Sequence, residues 1–370
     1  MARSKKPCRS DCFRKTNLMD LYSFSAPIGI VLCLVMGTFI IRTSPKYTKY
    51  FEEMDNVLMF VIFMNLTLAV VSFLYNMITM QGKNNEHLRI YEHLEKIDAK
   101  LVHEFHANMH YEKIALKISV VFYVFLTYGN VVNIVVISYW SQGNLKTVYL
   151  ITFCHTFMLS GMHMIVYSFM TVADLIRIRF RLLQKLLNPG YLQRHYSDSD
   201  VRAYKLTRAI EIYRELYRVI DELNSVYGFC LLSCLAHDFT LATSLFFLMF
   251  GQAASLDEVD GKHLSFVFLL LLPPAYKMFM MPIYCTMSLN EGKKCMRIIK
   301  LMDDAFPGNE RIRRIVADAL WWNNHNKDSK YKIGFMMTAN TGLITIMTSA
   351  IMNYVAILIQ FQIQEEILKV

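Results

Sequence analysis

The chain has few charged residues and few residues that interrupt helices. Charged side chains make up 19% of its 370 residues, against about 25% in an ordinary globular domain. No stretch rich in glycine or proline, no repeat and no low-complexity segment divides it, which argues against soluble domains joined by linkers. The formal charge is +9. Because its basic residues lie between hydrophobic runs, we predict no nucleic-acid partner.

Sequence patterns of catalysis and metal binding are also scarce. We find no phosphate loop, nucleophile elbow or paired carboxylates, so we predict neither an enzyme nor a cofactor. Most of the eight cysteines lie within hydrophobic runs, where we expect them to pack as small apolar groups rather than form disulfides. His103, His106 and His110 are spaced as metal ligands can be on one helix face. We favour a solvated face over a zinc site there, and we predict no metal.

Long hydrophobic runs dominate the chain instead. Hydrophobic residues make up 54% of it, and the mean hydropathy is +0.29. Seven runs have about the length that a helix needs to cross a bilayer, roughly 20 residues. They cover approximately 21–41, 57–80, 114–139, 147–172, 226–250, 263–288 and 331–361. The sequence therefore predicts an all-α, polytopic membrane protein with seven transmembrane helices, the sixth kinked or broken at Pro273-Pro274.

The segments between the runs differ in length and charge. Arginine and lysine concentrate in the N-terminal tail and after spans two, four and six, which predicts a cytoplasmic N-terminus and an extracellular C-terminus. The same segments are amphipathic, with apolar residues at steps of three or four, as in Ile90, Leu94, Ile97, Leu101 and Phe105. Such faces either lie on the membrane or pack into a helical mass beneath it.

The last run is the most informative part of the sequence. From Met336 to Phe361 it has no charged side chain over about 26 residues. Asn353, Tyr354 and Gln360 nevertheless place polar groups at membrane depth, where they are costly and tend to face other helices or a water-filled path. One interpretation is an amide bonded to a neighbouring helix with aromatics at the lipid–water interface. The other is a pore lining.

The end of this run resembles a known family. Insect gustatory receptors end with Thr-Tyr, five hydrophobic residues and Gln-Phe. Here Asn353-Tyr354 is followed by five hydrophobic residues and then by Gln360-Phe361, so the string departs from the family pattern at Asn353. Gly334-Phe335 and Asn340 are also similar to the family.

The resemblance implies a fold and a function. Family members form tetramers whose cytoplasmic helical extensions build an anchor domain, and their last span is discontinuous. We therefore expect residues 1–330 to form a ligand-binding transmembrane bundle with helical loops, and residues 331–370 to form the pore-lining span with a short extracellular tail. The implied function is a gustatory, ligand-gated, non-selective cation channel in the plasma membrane of sensory neurons. Its expected partners are a small-molecule tastant, the bilayer, and like or unlike receptor subunits in a tetramer.

Three sets of candidate site residues follow. The resemblance places the pore and its gate at Asn353, Tyr354, Ile357, Gln360 and Phe361. It places the ligand pocket among the outer halves of the first six spans, where the candidates are Asn133, Trp140, Phe153, His155, Phe157, Phe246 and Phe247. Asp238 and Lys277 both fall near mid-membrane. They form either a structural buried pair or the polar floor of the ligand pocket, with His237 or His163 as further partners.

Three other functional interpretations stay open. A G-protein-coupled receptor would need the opposite topology. A transporter would carry repeated halves with interrupted helices in corresponding places, and only span six has a clear interruption. An auxiliary receptor subunit that conducts only beside other subunits is compatible with the whole sequence.

Overall fold

The computed structural model describes residues 27–32, 35, 56–107, 111–140, 145–254, 261–326, 329–334 and 337–369. Nearly all of these residues are helical. The elements, in chain order, are α1 (Asn56–Gly82), α2 (Asn84–Phe105), α3 (Tyr111–Trp140), α4 (Leu145–Leu186), α5 (Pro189–His195), α6 (Ser199–Ala254), α7 (Gly261–Ala305), α8 (Glu310–His325), β1 (Lys332–Ile333), β2 (Met337–Thr338) and α9 (Thr341–Lys369).

Several helices are much longer than a bilayer is thick. Helix α6 has 56 residues and is therefore about 84 Å long, whereas a hydrocarbon core measures about 30 Å. In the part of the chain that the structure describes, five segments are long and apolar enough to cross a membrane: Met59–Gly82, Phe153–Leu186, Ser199–Phe250, Leu264–Ala305 and Thr341–Gln364. Helix α3 coincides with the third predicted span. The first predicted span lies mostly outside the described residues.

The ends of the long helices form a second layer with the short helices. We call this layer the extension bundle: α2, α5 and α8 with the charged halves of α4, α6 and α7. The predicted apolar faces are buried there, which confirms a packed helical mass rather than helices lying on a membrane. The buried residues of these faces are Ile90, Leu94, Ile97, Leu101 and Phe105 on α2, Tyr213, Leu216, Tyr217, Ile220 and Leu223 on α6, and Ile312, Val316 and Ala319 on α8.

Asparagine side chains cap the starts of two helices. Helix α4 ends at Leu186. The Asn188 side chain then accepts a hydrogen bond from the Gly190 amide at the start of α5. Asn309 accepts hydrogen bonds from the amides of Arg311 and Ile312 and so caps α8. Helix α6 is one helix through the amphipathic segment after α5 and through span five. Gly228 lies at the junction of these two segments, but the helix continues through it.

The prediction at Pro273-Pro274 was a kink or a break, and the break is absent. Helix α7 runs from Gly261 to Ala305 through both prolines. A proline at 273 removes the amide that would bond to the carbonyl four residues earlier, at Leu269. The Tyr128 hydroxyl of α3 donates a 3.3 Å hydrogen bond to that carbonyl oxygen. A neighbouring helix therefore supplies a replacement donor, which is how membrane helices tolerate proline.

We expect Tyr128→Phe to lower the stability of the chain by about 1 kcal/mol, the net value of one hydrogen bond. The same change should cost clearly less in a Pro273→Ala background, because the alanine amide then bonds to Leu269 itself. Thermal unfolding of the purified chain and its variants measures both effects, with Tyr75→Phe on α1 as a control. Equal costs in the two backgrounds would contradict this role of the hydroxyl.

The histidine face proposed on α2 does not form. Helix α2 ends at Phe105, and His106 follows it with a left-handed backbone (φ 49°). Only His103 of the three histidines lies within the helix, and His110 lies outside the described residues. Three ligands spaced along a single helix face therefore do not exist there.

Candidate functional site

The stretch before the last helix is a hairpin. The hydrophobic run covers 331–361, and the family resemblance implied that the last span is discontinuous. In the structure β1 and β2 pair antiparallel, with Lys332 opposite Thr338, and α9 begins at Thr341. The chain turns at Gly334 with φ +59°, a conformation that glycine adopts without strain. The last helix then continues to Lys369, beyond the expected end at Phe361.

Helix α6 forms hydrogen bonds with the backbone of this hairpin. The Asn224 side chain donates to the Lys330 carbonyl at 2.7 Å and accepts from the Lys332 amide at 2.8 Å. It therefore pairs with the hairpin edge as a neighbouring strand would. One turn further along α6, the Gly228 carbonyl accepts a 2.8 Å hydrogen bond from the Gly334 amide.

Helix α7 holds the other side of the hairpin. Tyr331 is fully buried, its hydroxyl lies 2.9 Å from the Ser288 hydroxyl, and its ring packs edge-on against Phe169 of α4. The Thr341 amide, the first of α9, donates to the Thr286 hydroxyl at 3.1 Å. The hairpin thus joins α4, α6 and α7 to the start of α9.

We expect Asn224→Ala to cost about 1–3 kcal/mol, because two hydrogen bonds of about 0.5–1.5 kcal/mol each are lost. Asn224→Asp is the matched variant. It keeps the acceptor for the Lys332 amide and loses only the donor to Lys330. Two quantities test this: the midpoint of thermal unfolding and the hydrogen-exchange protection of the Lys332 amide. Both should be highest with asparagine, lower with aspartate and lowest with alanine. Protection of the amide in the alanine variant that equals that of the unaltered chain would refute this role.

Helix α9 has two distinct faces along its length. Leu343, Ile351 and Val355 are buried, on a helix whose main contacts are with α6 and α7. The candidate pore residues, in contrast, are exposed: Asn353, Tyr354, Ile357, Gln360 and Phe361. Tyr354 lies at the boundary between the faces, since its ring meets Phe239 of α6 edge-on at 5.7 Å. Within the described residues, nothing in this chain covers the exposed face.

The exposed face of α9 is more polar than the motif alone indicated. Thr345 and Ser349 precede Asn353 at steps of four residues, and Gln364 follows Gln360 at the same step. All five are exposed. We call these five residues the polar stripe of α9. The spacing is present in the sequence, but the C-terminal motif covers only Asn353 and Gln360 of the five and omits Thr345, Ser349 and Gln364.

The structure places the candidate ligand residues on several different surfaces. Phe153 and Phe157 are exposed on α4, where Phe157 meets Phe73 of α1 edge-on at 6.3 Å. Phe247 is buried, and Phe246 lines a cavity of about 90 Å³ between α6, α7 and α9. His155 is half-buried. Asn133 and Trp140 lie on α3, and their side chains are outside the described residues.

A larger cavity lies between α3 and α7. Its volume is about 660 Å³, and it is lined by Tyr123, Val124, Thr127, Tyr128, Val131, Val132, Val135, Phe266 and Leu269. We call it the α3–α7 groove. It lies at the end of the bundle opposite the extension bundle, it is mostly apolar, and its volume is in the range of small-molecule sites. Tyr128 both lines the groove and bonds to the α7 backbone, so this side chain connects groove and helix.

Below the groove lies a buried charged cluster. Lys277 of α7 and Asp238 of α6 approach to 2.6 Å, and both side chains are almost fully buried. The His237 ring nitrogen Nδ1 lies 3.5 Å from the same carboxylate. One Asp238 oxygen, Oδ2, has no hydrogen-bond partner in the structure. The cluster belongs to the interior of the bundle and lines neither of the two cavities described above.

The architecture defines a class of protein: an all-α, multi-pass membrane protein with a helical extension and a separate last helix. The sequence profile of the 7tm chemosensory receptor family matches residues 6–365. The chain therefore belongs to that family, and the resemblance seen at its C-terminal motif is confirmed.

Similar proteins agree with this assignment. The chain is 29% identical to the Drosophila melanogaster protein named as gustatory receptor 57a, over 97% of this chain and 88% of that protein. It is 22% identical to the protein named as gustatory receptor 47b of the same species, over 81% of this chain and 72% of that protein. Solved structures of the olfactory receptor OR5 from Machilis hrabei share the fold. With eugenol bound, OR5 matches with a TM-score of 0.61 at 12% identity, over 96% of this chain and 93% of that chain. The second OR5 structure gives 0.62 at 10% identity, with the same coverage.

Proposed function

We propose that this chain is a gustatory receptor subunit of a ligand-gated cation channel. In this proposal, four subunits arrange their last helices around a central pore, in the plasma membrane of a sensory neuron. The N-terminus and the extension bundle are cytoplasmic, and a small organic tastant binds in the outer part of the transmembrane bundle.

The polar stripe of α9 is the observation that carries this proposal. Three amide and two hydroxyl side chains lie along one exposed face of a helix that is otherwise apolar. Polar groups that face lipid are costly, so such faces turn toward other helices or a water-filled path. A ring of helices around a pore satisfies this requirement for every copy at once. Phe361 then supplies an apolar ring that blocks ions by keeping the constriction dry.

The α3–α7 groove is our candidate for the tastant site. Ligand pockets are mostly apolar with a few polar groups, and this groove offers Tyr123, Thr127 and Tyr128 among apolar residues. OR5 has been solved with eugenol, a small organic molecule, which supports a ligand of similar size. A ligand opens the pore only if it binds the open state more tightly than the closed one. Movement of α7 would reach α9 through the hairpin.

Whole-cell recording from cells that express this chain tests the proposal. The ligands are a panel of sugars and bitter compounds, and the variants are Gln360→Ala, Phe361→Ala and Val131→Trp. We expect a ligand-evoked cation current, a larger resting leak in Phe361→Ala, altered block in Gln360→Ala, and at least a tenfold weaker ligand response in Val131→Trp. Phe63→Ala on α1 and Leu116→Trp on α3 are matched controls, since both side chains are exposed and line neither site.

Surface labelling decides how the absence of a ligand-evoked current is interpreted. A chain that reaches the surface and carries no current alone, but conducts beside other receptor subunits, acts as an auxiliary subunit. If Phe361→Ala changes no current in either setting, α9 does not line the conducting path. An N-terminal epitope that antibodies reach only after permeabilisation excludes the orientation of a G-protein-coupled receptor.

A further inference from the structure

A basic face lies on α7, a short distance beyond the predicted end of span six at Ser288. Its four residues are all exposed: Lys293, Lys294, Arg297 and Lys300. Steps of three and four residues place them on one side of the helix, over about two turns. We call these four residues the basic face of α7. No part of the proposed channel mechanism uses it.

The positive charge of this face is largely unpaired. Only Lys294 has an acidic partner among the described residues, the Glu291 carboxylate at 3.2 Å. The other three members form no ion pair and no side-chain hydrogen bond with that part of the chain. Arg181 of α4 also approaches Glu291 at 3.2 Å, so this carboxylate has two cationic partners already. The face therefore keeps a strong net positive charge, which suits a polyanion.

The same side of α7 is apolar where the helix crosses the membrane. Phe279 precedes Arg297 by 18 residues, which is about five full turns, so both side chains point in the same direction. The exposed apolar residues on this side are Phe268, Leu272, Phe279 and Met287. One side of α7 thus offers an apolar surface to acyl chains and, directly beyond it, a basic surface to a headgroup. This continuity favours a lipid over a soluble anion.

The depth of the basic face restricts which lipid can reach it. The face begins about 8 Å and ends about 18 Å past Ser288, whereas the headgroup zone on each side of a bilayer is about 5–8 Å thick. A headgroup such as phosphoserine ends within that zone, but phosphates on an inositol ring project past it. Lysine and arginine form charge-assisted hydrogen bonds with phosphate. Clusters of about four to eight such residues beside a membrane helix are typical of phosphoinositide binding.

We propose that the basic face of α7 binds a phosphoinositide lipid that carries several phosphates on its inositol ring. The ring phosphates contact Lys293, Arg297 and Lys300, and the acyl chains follow the apolar side of α7. In a cell such a lipid reaches the face only if the extension bundle is cytoplasmic, so this inference rests on the orientation given in the proposed function. Binding itself does not depend on ion conduction.

Fluorescence polarisation of a labelled dioctanoyl phosphatidylinositol 4,5-bisphosphate, titrated with the purified full chain in detergent, tests the proposal. The competitors are the same unlabelled lipid, dioctanoyl phosphatidylinositol, dioctanoyl phosphatidylserine and soluble inositol 1,4,5-trisphosphate. We expect saturable binding, with the bisphosphate lipid competing at least about tenfold more strongly than each of the others. Equal competition by the three lipids, or no saturable binding, would overturn the proposal. Inositol trisphosphate that competes as well as the lipid would overturn the assignment to a lipid.

A triple variant connects the binding with the basic face. Lys293→Gln, Arg297→Gln and Lys300→Gln together remove its unpaired charges and should weaken binding of the labelled lipid at least about tenfold. Because all three side chains are exposed, the variant should fold, and its thermal midpoint checks this. Arg297→Gln alone should weaken binding about threefold and decides the matter if the triple variant fails to fold. Unchanged affinity would place the lipid elsewhere.

The matched control removes the same charge from α8. Arg311 lies 3.0 Å from Asp200 near the start of α6, about 40 Å along that helix from the start of span five. The control variant carries three changes at exposed positions: Arg311→Gln, Arg313→Gln and Arg314→Gln. It should bind the lipid within about twofold of the unaltered chain. A loss as large as that of the α7 variant would show that binding follows net charge alone, and the proposal would be wrong.

Discussion

Replacing Lys277 by methionine should destabilise the chain by about 3–5 kcal/mol, the cost of leaving one partner of a buried ion pair without the other. The remaining Asp238 carboxylate would keep His237 at 3.5 Å from its oxygen Oδ1, while Oδ2 has no hydrogen-bond partner among the described residues. The reverse change, Asp238→Leu, leaves a buried ammonium in the same position. Heating a fluorescently tagged chain and counting the folded fraction by size-exclusion chromatography measures the loss.

The double variant separates the two interpretations of this pair. If the pair is structural, Asp238→Leu with Lys277→Met should recover most of the stability, because two apolar side chains replace two desolvated charges. Ligand-evoked current should then be kept. If the pair forms the floor of a ligand site, the double variant should fold and lose the response. A double variant as unstable as the single ones would show that the two charges do not stabilise each other.

The sequence predicted the helical framework well because helices follow local periodicity. The apolar faces of α2, α6 and α8 were predictable from steps of three and four residues, and all three are buried. The breaks were less predictable. Helix α7 is continuous through Pro273-Pro274, where Tyr128, distant in sequence, donates to the Leu269 carbonyl. The local sequence around the two prolines does not show that a side chain of another helix bonds to this carbonyl.

In the candidate site, too, some features follow from the local sequence and others from contacts with distant residues. The exposed face of α9 was encoded in its own spacing and in the C-terminal motif. The hairpin at 331–340 was not, because its stability depends on Asn224 and Gly228 of α6, more than a hundred residues earlier. Similarly, the sequence places Arg179 among the basic residues after span four. Its role depends on Asp98 of α2, which lies about eighty residues earlier and accepts its hydrogen bonds.

Arg179→Met should destabilise the extension bundle by about 3–5 kcal/mol, since it strands a buried carboxylate. In the structure, Arg179 donates two hydrogen bonds to Asp98 of α2, from Nε at 2.7 Å and from the terminal nitrogen at 2.5 Å. A third donor reaches the Leu175 carbonyl at 2.8 Å. Both charged side chains are nearly fully buried. Desolvation and the Asp98 charge raise the pKa of Tyr111 to about 12, so this hydroxyl keeps its proton near Asp98.

Three further variants make this prediction specific. Arg179→Lys keeps the charge but loses the paired donors, so the stability of this variant should lie between that of the unaltered chain and that of Arg179→Met. Arg179→Met with Asp98→Leu should recover much of the loss, because no unpaired charge remains. Arg313→Met breaks the exposed Arg313–Glu310 pair and should change stability by less than about 1 kcal/mol. Thermal unfolding ranks all four, with hydrogen exchange in α2 as the local readout. If Arg179→Met were as mild as Arg313→Met, the bidentate pair would not hold α2 against α4, and the extension bundle would depend on its apolar faces alone.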